Sequence, residues 1–249
     1  MAENFARVET KYLLTLPQAE AVAAGLQARG FRRLDFGCPR IQSLYYDTPE
    51  HLLIRTSLER PAYKEKLRLR AYGEPGALRE SYLEIKKKYD GVVYKRRAAL
   101  SLAEAMEGLA RGSLPDRAGQ VGREALWMTQ RWGLVPAVVI AYDRDAWFHP
   151  EDASLRVTFD RNLTFRDRQL DLDSPEEGLP ILPDGLRLME VKTGGTLPLW
   201  LVRLLAAQDI RRTHFSKYGA AYLQYIRPGQ GAQERSGQTC STVSFSQGA

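Results

Sequence analysis

The chain has 249 residues, 44% of them hydrophobic, which is enough for a real core and excludes global disorder. Its 36 Lys and Arg against 30 Asp and Glu leave a net charge of +6, which favours an anionic partner without choosing among nucleic acid, nucleotides, polyphosphate and an anionic membrane surface. Two distant cysteines (Cys38, Cys240) and three scattered histidines argue against a disulfide framework and a His-based zinc site, and neither an apolar run of about 18 residues nor an apolar N-terminal leader is present, so a soluble cytoplasmic protein is expected.

The first predicted strand runs from Arg7 to Thr15. Pro17 then stands at a first-turn helix position, and the Ala-rich stretch that follows ends at Gly30. Ile41–Tyr46 reads as a strand closed by Asp47-Thr48-Pro49, with a short helix over His51–Ser57. Tyr63–Tyr72 and Ser81–Tyr89 read as a strand pair, and Asp90-Gly91 is a hairpin signal leading into Val92–Leu100. Ser101 with Glu104 has the spacing of a capping box, and Pro115 opens a helical stretch to Trp132. Val135–Phe148, Leu155–Leu163 and Leu186–Lys192 complete a set of eight strands. A turn-rich connection precedes the last of them; an amphipathic helix over Pro198–Ala207 and a terminal helix ending before Pro228 follow it. The pattern predicts one α+β domain over about 3–227, with a closed barrel of eight antiparallel strands and helices packed outside. The Gly/Ser/Gln-rich stretch 228–249 reads as a disordered tail.

Charge recurs at every second position inside these strands. Lys64, Lys66, Arg68 and Arg70 share one strand face; Glu84, Lys86 and Lys88 share another. A Glu stands two residues before a Lys in three strands: Glu9 and Lys11, Glu84 and Lys86, Glu190 and Lys192. A single charged face usually meets water. Several such faces dominated by Lys and Arg point instead to a shared basic cavity, because clustered cations repel unless an anion neutralises them. Carboxylates among them offset part of that repulsion and offer hard oxygen ligands to Mg²⁺ or Mn²⁺.

Arg7-x-Glu9-x-Lys11-Tyr12, Tyr45-Tyr46-Asp47-Thr48-Pro49, Lys66-x-Arg68-x-Arg70, Glu84-x-Lys86, Tyr142-Asp143-Arg144, Arg156-x-Thr158-x-Asp160, Glu190-x-Lys192 and Phe215-Ser216-Lys217-Tyr218 occur in that order. Each motif alone is weak; in this order they resemble the polyphosphate polymerase domain of the vacuolar transporter chaperone family, in the triphosphate tunnel metalloenzyme superfamily. The resemblance spans about 5–226. It implies a β-barrel tunnel, Mn²⁺ or Mg²⁺ as cofactor, and ATP and polyphosphate as partners. It further implies that Lys11, Arg68, Arg70, Lys86, Arg144, Arg156 and Lys217 bind the reacting phosphates, that Lys66, Lys95, Lys192 and Ser216 add substrate contacts, and that Glu190, supported by Glu9 and Glu84, holds the metal. Arg7 stands where the cyclase and thiamine-triphosphatase branch usually carries Glu, which favours the polymerase branch. A triphosphatase of the same fold, or a module that only binds polyphosphate, uses the same lining. No RNP-like motif, zinc finger or basic helix points to nucleic acid. No membrane domain is fused to the chain, so a link to transport would need a separate membrane protein.

Overall fold

The computed structural model describes residues 8–34, 40–78, 80–90 and 92–228. Arg7, both cysteines and, Pro228 apart, the tail expected to be disordered lie outside the described residues. The strands in chain order are β1 (Val8–Thr15), β2 (Arg32–Leu34), β3 (Arg40–Asp47), β4 (Tyr63–Tyr72), β5 (Glu80–Tyr89), β6 (Val92–Ala99), β7 (Val135–Phe148), β8 (Leu155–Arg166), β9 (Leu179–Pro180), β10 (Leu186–Thr193) and β11 (Arg212–Thr213). The helices are α1 (Leu16–Gln27), α2 (Leu52–Leu58), α3 (Leu102–Arg111), α4 (Gly119–Trp132), α5 (Leu199–Ala207) and α6 (Lys217–Ala221), which continues as a wider π-type turn over Tyr222–Ile226. The capping box forms as predicted: Glu104 N donates to Ser101 Oγ at 3.2 Å and Ser101 N donates to Glu104 Oε2 at 3.0 Å.

The expected closed barrel of eight strands is corrected. All eleven strands belong to one sheet with the order β11-β1-β10-β8-β7-β3-β4-β5-β6; β2 pairs with β7 and β9 with β8. Every pairing is antiparallel. Among the described residues no pairing joins β6 to β11, so the sheet is open. The eight long strands are the predicted ones, and β2, β9 and β11 are added pieces of two or three residues.

Open is not flat. β1 and β4 are five strand steps apart, about 24 Å across a flat sheet at ~4.8 Å per step. Yet Lys11 Nζ on β1 donates to Phe215 O at 3.0 Å, and Lys66 Nζ on β4 lies 3.3 Å from the Oγ of the adjacent Ser216. Both strands therefore reach one short segment, and the sheet curls into a trough around it. Register shifts at Tyr45/Tyr46 and between Ala141 and Asp143 supply local bends.

The two strand faces do different work. On the outer face, Leu67, Leu69, Leu83 and Ile85 pack under α3 and α4, while Tyr12, Leu14, Val157 and Val191 pack under α1 and α5. Trp132, Trp147 and Trp200 join these outer cores, whereas Trp127 is exposed. On the inner face, Tyr218, Ala221, Tyr222 and Ile226 of the terminal helix fill one part of the trough against Val138, Ile140, Leu163 and Leu188. The remaining part of the inner face is lined by charge. Tyr45 and Tyr46 show the partition in two consecutive residues: the first contacts Arg68 inside the trough, the second belongs to the outer core.

Candidate active site in the basic trough

The densest cluster surrounds two carboxylates on neighbouring strands. Asp160 of β8, fully buried, receives a two-pronged contact from Arg144 of β7: Nε to Oδ1 at 2.6 Å and Nη2 to Oδ2 at 2.7 Å. Lys217 Nζ, at the start of α6, is 2.6 Å from Asp160 Oδ2. Glu190 of β10 has Lys11 and Lys217 on Oε1, each at 3.2 Å, and Arg144 on Oε2 at 3.3 Å. Burial alone would raise both carboxyl pKa values. Arg144 and Lys217 outweigh it at Asp160, and Lys217, Lys11 and Arg144 outweigh it at Glu190, so both are held below the usual carboxylate range. In turn these carboxylates raise the Lys217 pKa against the effect of its own burial. Glu9 is 3.4 Å from Lys11 and 3.9 Å from Lys192.

A second cluster surrounds Glu84 of β5, which is 1% exposed. Arg68 approaches Oε2 through Nη2 at 2.6 Å and Nε at 2.7 Å, Lys95 of β6 is 2.6 Å from Oε1, and Arg70 is 3.8 Å away. Burial opposes ionisation here too, and Arg68, Arg70 and Lys95 overcome it, bringing the Glu84 pKa down to about 2. Arg68 Nη1 also donates to Tyr45 Oη at 3.0 Å. Burial would raise that phenol, but Arg68, Lys66 and Arg70 bring it down to about 7. Tyr142 joins the two clusters. Arg70 Nη2 donates to its hydroxyl at 3.2 Å, and its ring faces Lys217 Nζ at 4.4 Å and the Arg144 guanidinium at 5.2 Å.

Other cations have little or no compensation. Among the described residues, Lys66, Lys86 and Arg156 have no carboxylate within salt-bridge distance. Lys66 is largely buried and meets only the Ser216 hydroxyl; burial, then Lys86, Lys64 and Lys11, pull its pKa down to about 8 despite Tyr45. Lys86 lies opposite Lys66 and Lys95 in register. Arg156 stands opposite Lys192 at the exposed end of β8.

The structure thus places Lys11, Arg144, Lys217, Glu190, Glu9 and Lys192 in one cluster, Arg68, Arg70, Lys95 and Glu84 in another, Lys66, Lys86 and Ser216 within reach of both, and Arg156 at the rim. Glu84 has a cation set separate from that of Glu190. Among the described residues no three His, Cys, Asp or Glu side chains are grouped to hold a metal. Glu190 and Glu9 share Lys11, and such a carboxylate pair fits a hard divalent cation that completes its shell with substrate phosphate and water. Asp160, Tyr142 and Ser43, whose Oγ is 3.3 Å from Arg70 Nε, carry no role in the sequence pattern, whereas Tyr45 and Tyr46 are both candidates to touch a nucleotide and only Tyr45 contacts the trough's cations. Asp160 was within reach of that pattern, being in phase with Arg156 along one strand; the tyrosines carry no charge pattern to betray them.

A family model described as the VTC domain matches residues 6–226. No curated protein sequence matches the chain. Among solved structures, the chain is similar to a candidate adenylate cyclase from Bacillus halodurans, with a TM-score of 0.52, 14% identity, and 85% of this chain and 95% of that chain covered. This likeness shows a shared fold. Looser matches are a protein from Pyrococcus horikoshii OT3 (TM-score 0.42, 12% identity, 90% and 99% covered) and the Mimivirus capping enzyme triphosphatase (TM-score 0.33, 6% identity, 80% and 87% covered).

Proposed function

Because the chain belongs to the VTC domain family, we propose that it is a metal-dependent polyphosphate polymerase that passes the γ-phosphate of ATP to the end of a polyphosphate chain held in the trough. The observation that carries this reading is Lys66 with Lys86. A buried cation without a counterion is costly, and Lys66, beside the half-buried Lys86, has no carboxylate at salt-bridge distance among the described residues, next to clusters whose other cations are paired. A polyphosphate or triphosphate group supplies the missing charge at several points at once.

Phosphoryl transfer needs alignment and charge stabilisation more than covalent help from the protein. Arg68 and Arg70 offer planar forks to phosphate oxygens, and Lys66, Lys86 and Lys95 supply point charge. The attacking group is a terminal phosphate oxygen, already ionised, so no general base is required. It bonds to the γ-phosphorus as the β–γ bridge breaks, and ADP leaves with the bridging oxygen. Lys217, Lys11 and Arg144 stand where the transferred group's charge is to be met. When bound at Glu190 and Glu9, Mg²⁺ or Mn²⁺ supplies further charge neutralisation.

Incubation with ATP and Mn²⁺, with products resolved on gels, is expected to give polyphosphate and ADP. Stoichiometric free phosphate without polymer would make the protein a triphosphatase, and binding without ATP consumption would make it a sensor. Lys86→Ala removes a cation that has no carboxylate at salt-bridge distance among the described residues and whose charge acts on Glu9 from farther away. It should lower ATP affinity about tenfold, as loss of a charged contact does, and leave Tm unchanged. Undiminished affinity would remove Lys86 from the site.

ATP binding without metal should also depend on pH in two steps. Bound phosphate favours the protonated forms of both Tyr45 and Lys66, whose free pKa values are about 7 and about 8, so binding takes up protons above those values. Once the titration of ATP's own terminal phosphate is subtracted, affinity should therefore be level below pH 7 and fall above it, by up to about tenfold per pH unit for each group. In calorimetric titrations, Tyr45→Phe should remove the lower step and Lys66→Met should reduce the upper one, which Lys95, brought down to about 8 by its burial, shares.

A further inference from the structure

The inner face of β5 does not end with its charged residues. Its two-residue period runs from Lys86 through Glu84 to Tyr82, and Tyr82 lies directly opposite Arg70 of β4. On the other side, Arg97 of β6 lies opposite Glu84 and therefore diagonal to Tyr82. Its guanidinium carbon is 4.3 Å from the centre of the Tyr82 ring. The ring is held in two further ways. Tyr72 meets it edge-on at 6.1 Å and 84°, and its hydroxyl donates to Glu80 Oε2 at 2.8 Å.

We infer that Tyr82 and Arg97 form a stacking platform for the base of the nucleotide whose phosphates the trough holds, an inference that rests on the proposed use of ATP. A cross-strand Tyr–Arg pair stabilises a sheet wherever it occurs. Two features of this one point to a ligand. Arg97 is exposed and, among the described residues, has no carboxylate within salt-bridge distance, unlike Arg68 and Arg144. Its partner is the Tyr82 ring, so the flat cation is held by an aromatic face and not by a neighbouring acid. The second feature is position. Tyr82 continues the row that carries Glu84 and Lys86, about 13 Å along the strand from Lys86 at ~3.4 Å per residue. An extended nucleoside triphosphate bound by its phosphates at Lys66, Arg68 and Lys86 covers a comparable distance and brings its base to this end. Aromatic rings and guanidinium planes are the surfaces on which bases stack without sequence preference.

The test compares two ligands that share a triphosphate and differ in the base. Binding of ATP and of inorganic tripolyphosphate, both without metal, is measured for the unaltered protein, Tyr82→Ala and Arg97→Lys. Tyr82→Ala should weaken ATP about fivefold or more and leave tripolyphosphate within about twofold. Arg97→Lys keeps the charge and loses the plane, so it should weaken ATP selectively as well. Equal effects on both ligands, or none on ATP, would overturn the platform. If the unaltered protein bound neither ligand, the trough reading itself would fail, a result distinguishable from failure of the platform.

Discussion

Glu190→Gln is expected to lower metal-dependent turnover by about a hundredfold or more, the scale seen when one transition-state electrostatic element is removed, while metal-free binding of tripolyphosphate is kept or strengthened. Among the described residues, Glu190 is the one carboxylate that touches Lys11, Arg144 and Lys217 together. At these separations each gross attraction is about 5 kcal/mol for an effective dielectric near 20. Loss of the charge therefore frees three cations for a phosphate ligand. It does not scatter them, because Asp160 still holds Arg144 and Lys217. What the amide cannot do is serve as an anionic ligand to a divalent ion. Manganese titrations of ADP release, set beside calorimetry with tripolyphosphate, separate the two roles. Unchanged turnover would move the metal away from Glu190.

Asp47→Ala is expected to be the most destabilising single change near the trough, costing about 3 kcal/mol for several buried hydrogen bonds lost together, or roughly 10 °C in Tm for a chain of this size. Asp47 is 0% exposed. Its Oδ1 accepts from Thr48 N and Leu53 N, each at 2.8 Å, and its Oδ2 accepts from Ile54 N and Tyr218 Oη, each at 3.0 Å. The helix it starts, α2, has only 7 residues and follows His51 in the left-handed region at φ 57°, so it has little stability of its own. Tyr218 extends the effect to the site, because Lys217 and Ser216 precede it. Thermal melts should rank Asp47→Ala well below Tyr218→Phe, which removes the hydroxyl's contacts with Asp47 and His51 and leaves the backbone contacts of Asp47 in place; equal melting temperatures would show that the backbone contacts contribute nothing.

Much of this arrangement was legible in the sequence, and the reasons differ by element. The long strands were visible because a two-residue period persists over eight to fourteen positions. β2, β9 and β11, at two or three residues, are too short to show any period. The same alternation placed Lys66, Arg68, Glu84 and Glu190 on inner faces. It could not place Lys66 beside Ser216, 150 residues away, since that contact depends on curling of the sheet. Closure was the overreach: face patterning specifies which side is buried and is silent on whether the outermost strands meet. Asp160 was in phase with the charged row, but its role depends on Arg144, a partner on another strand.

A sheet that does not close has borders, and its β6 border consists of VVYKRRAA. Exposed strand edges are templates on which another chain can add, and Lys is a common safeguard against it. Lys95, Arg96 and Arg97 stand there in succession; Glu84 and Glu124 compensate the first two, and Arg97 has no carboxylate within salt-bridge distance among the described residues. Two copies meeting edge to edge would set like charges against each other, which disfavours the pairing. That safeguard is purely electrostatic, so it weakens as salt shortens the screening length. A long polyanion could do more than screen: by lying across two such borders it would turn a repulsive seam into an adhesive one. Colloidal behaviour of this protein would then depend on the same class of molecule that is proposed to occupy its trough.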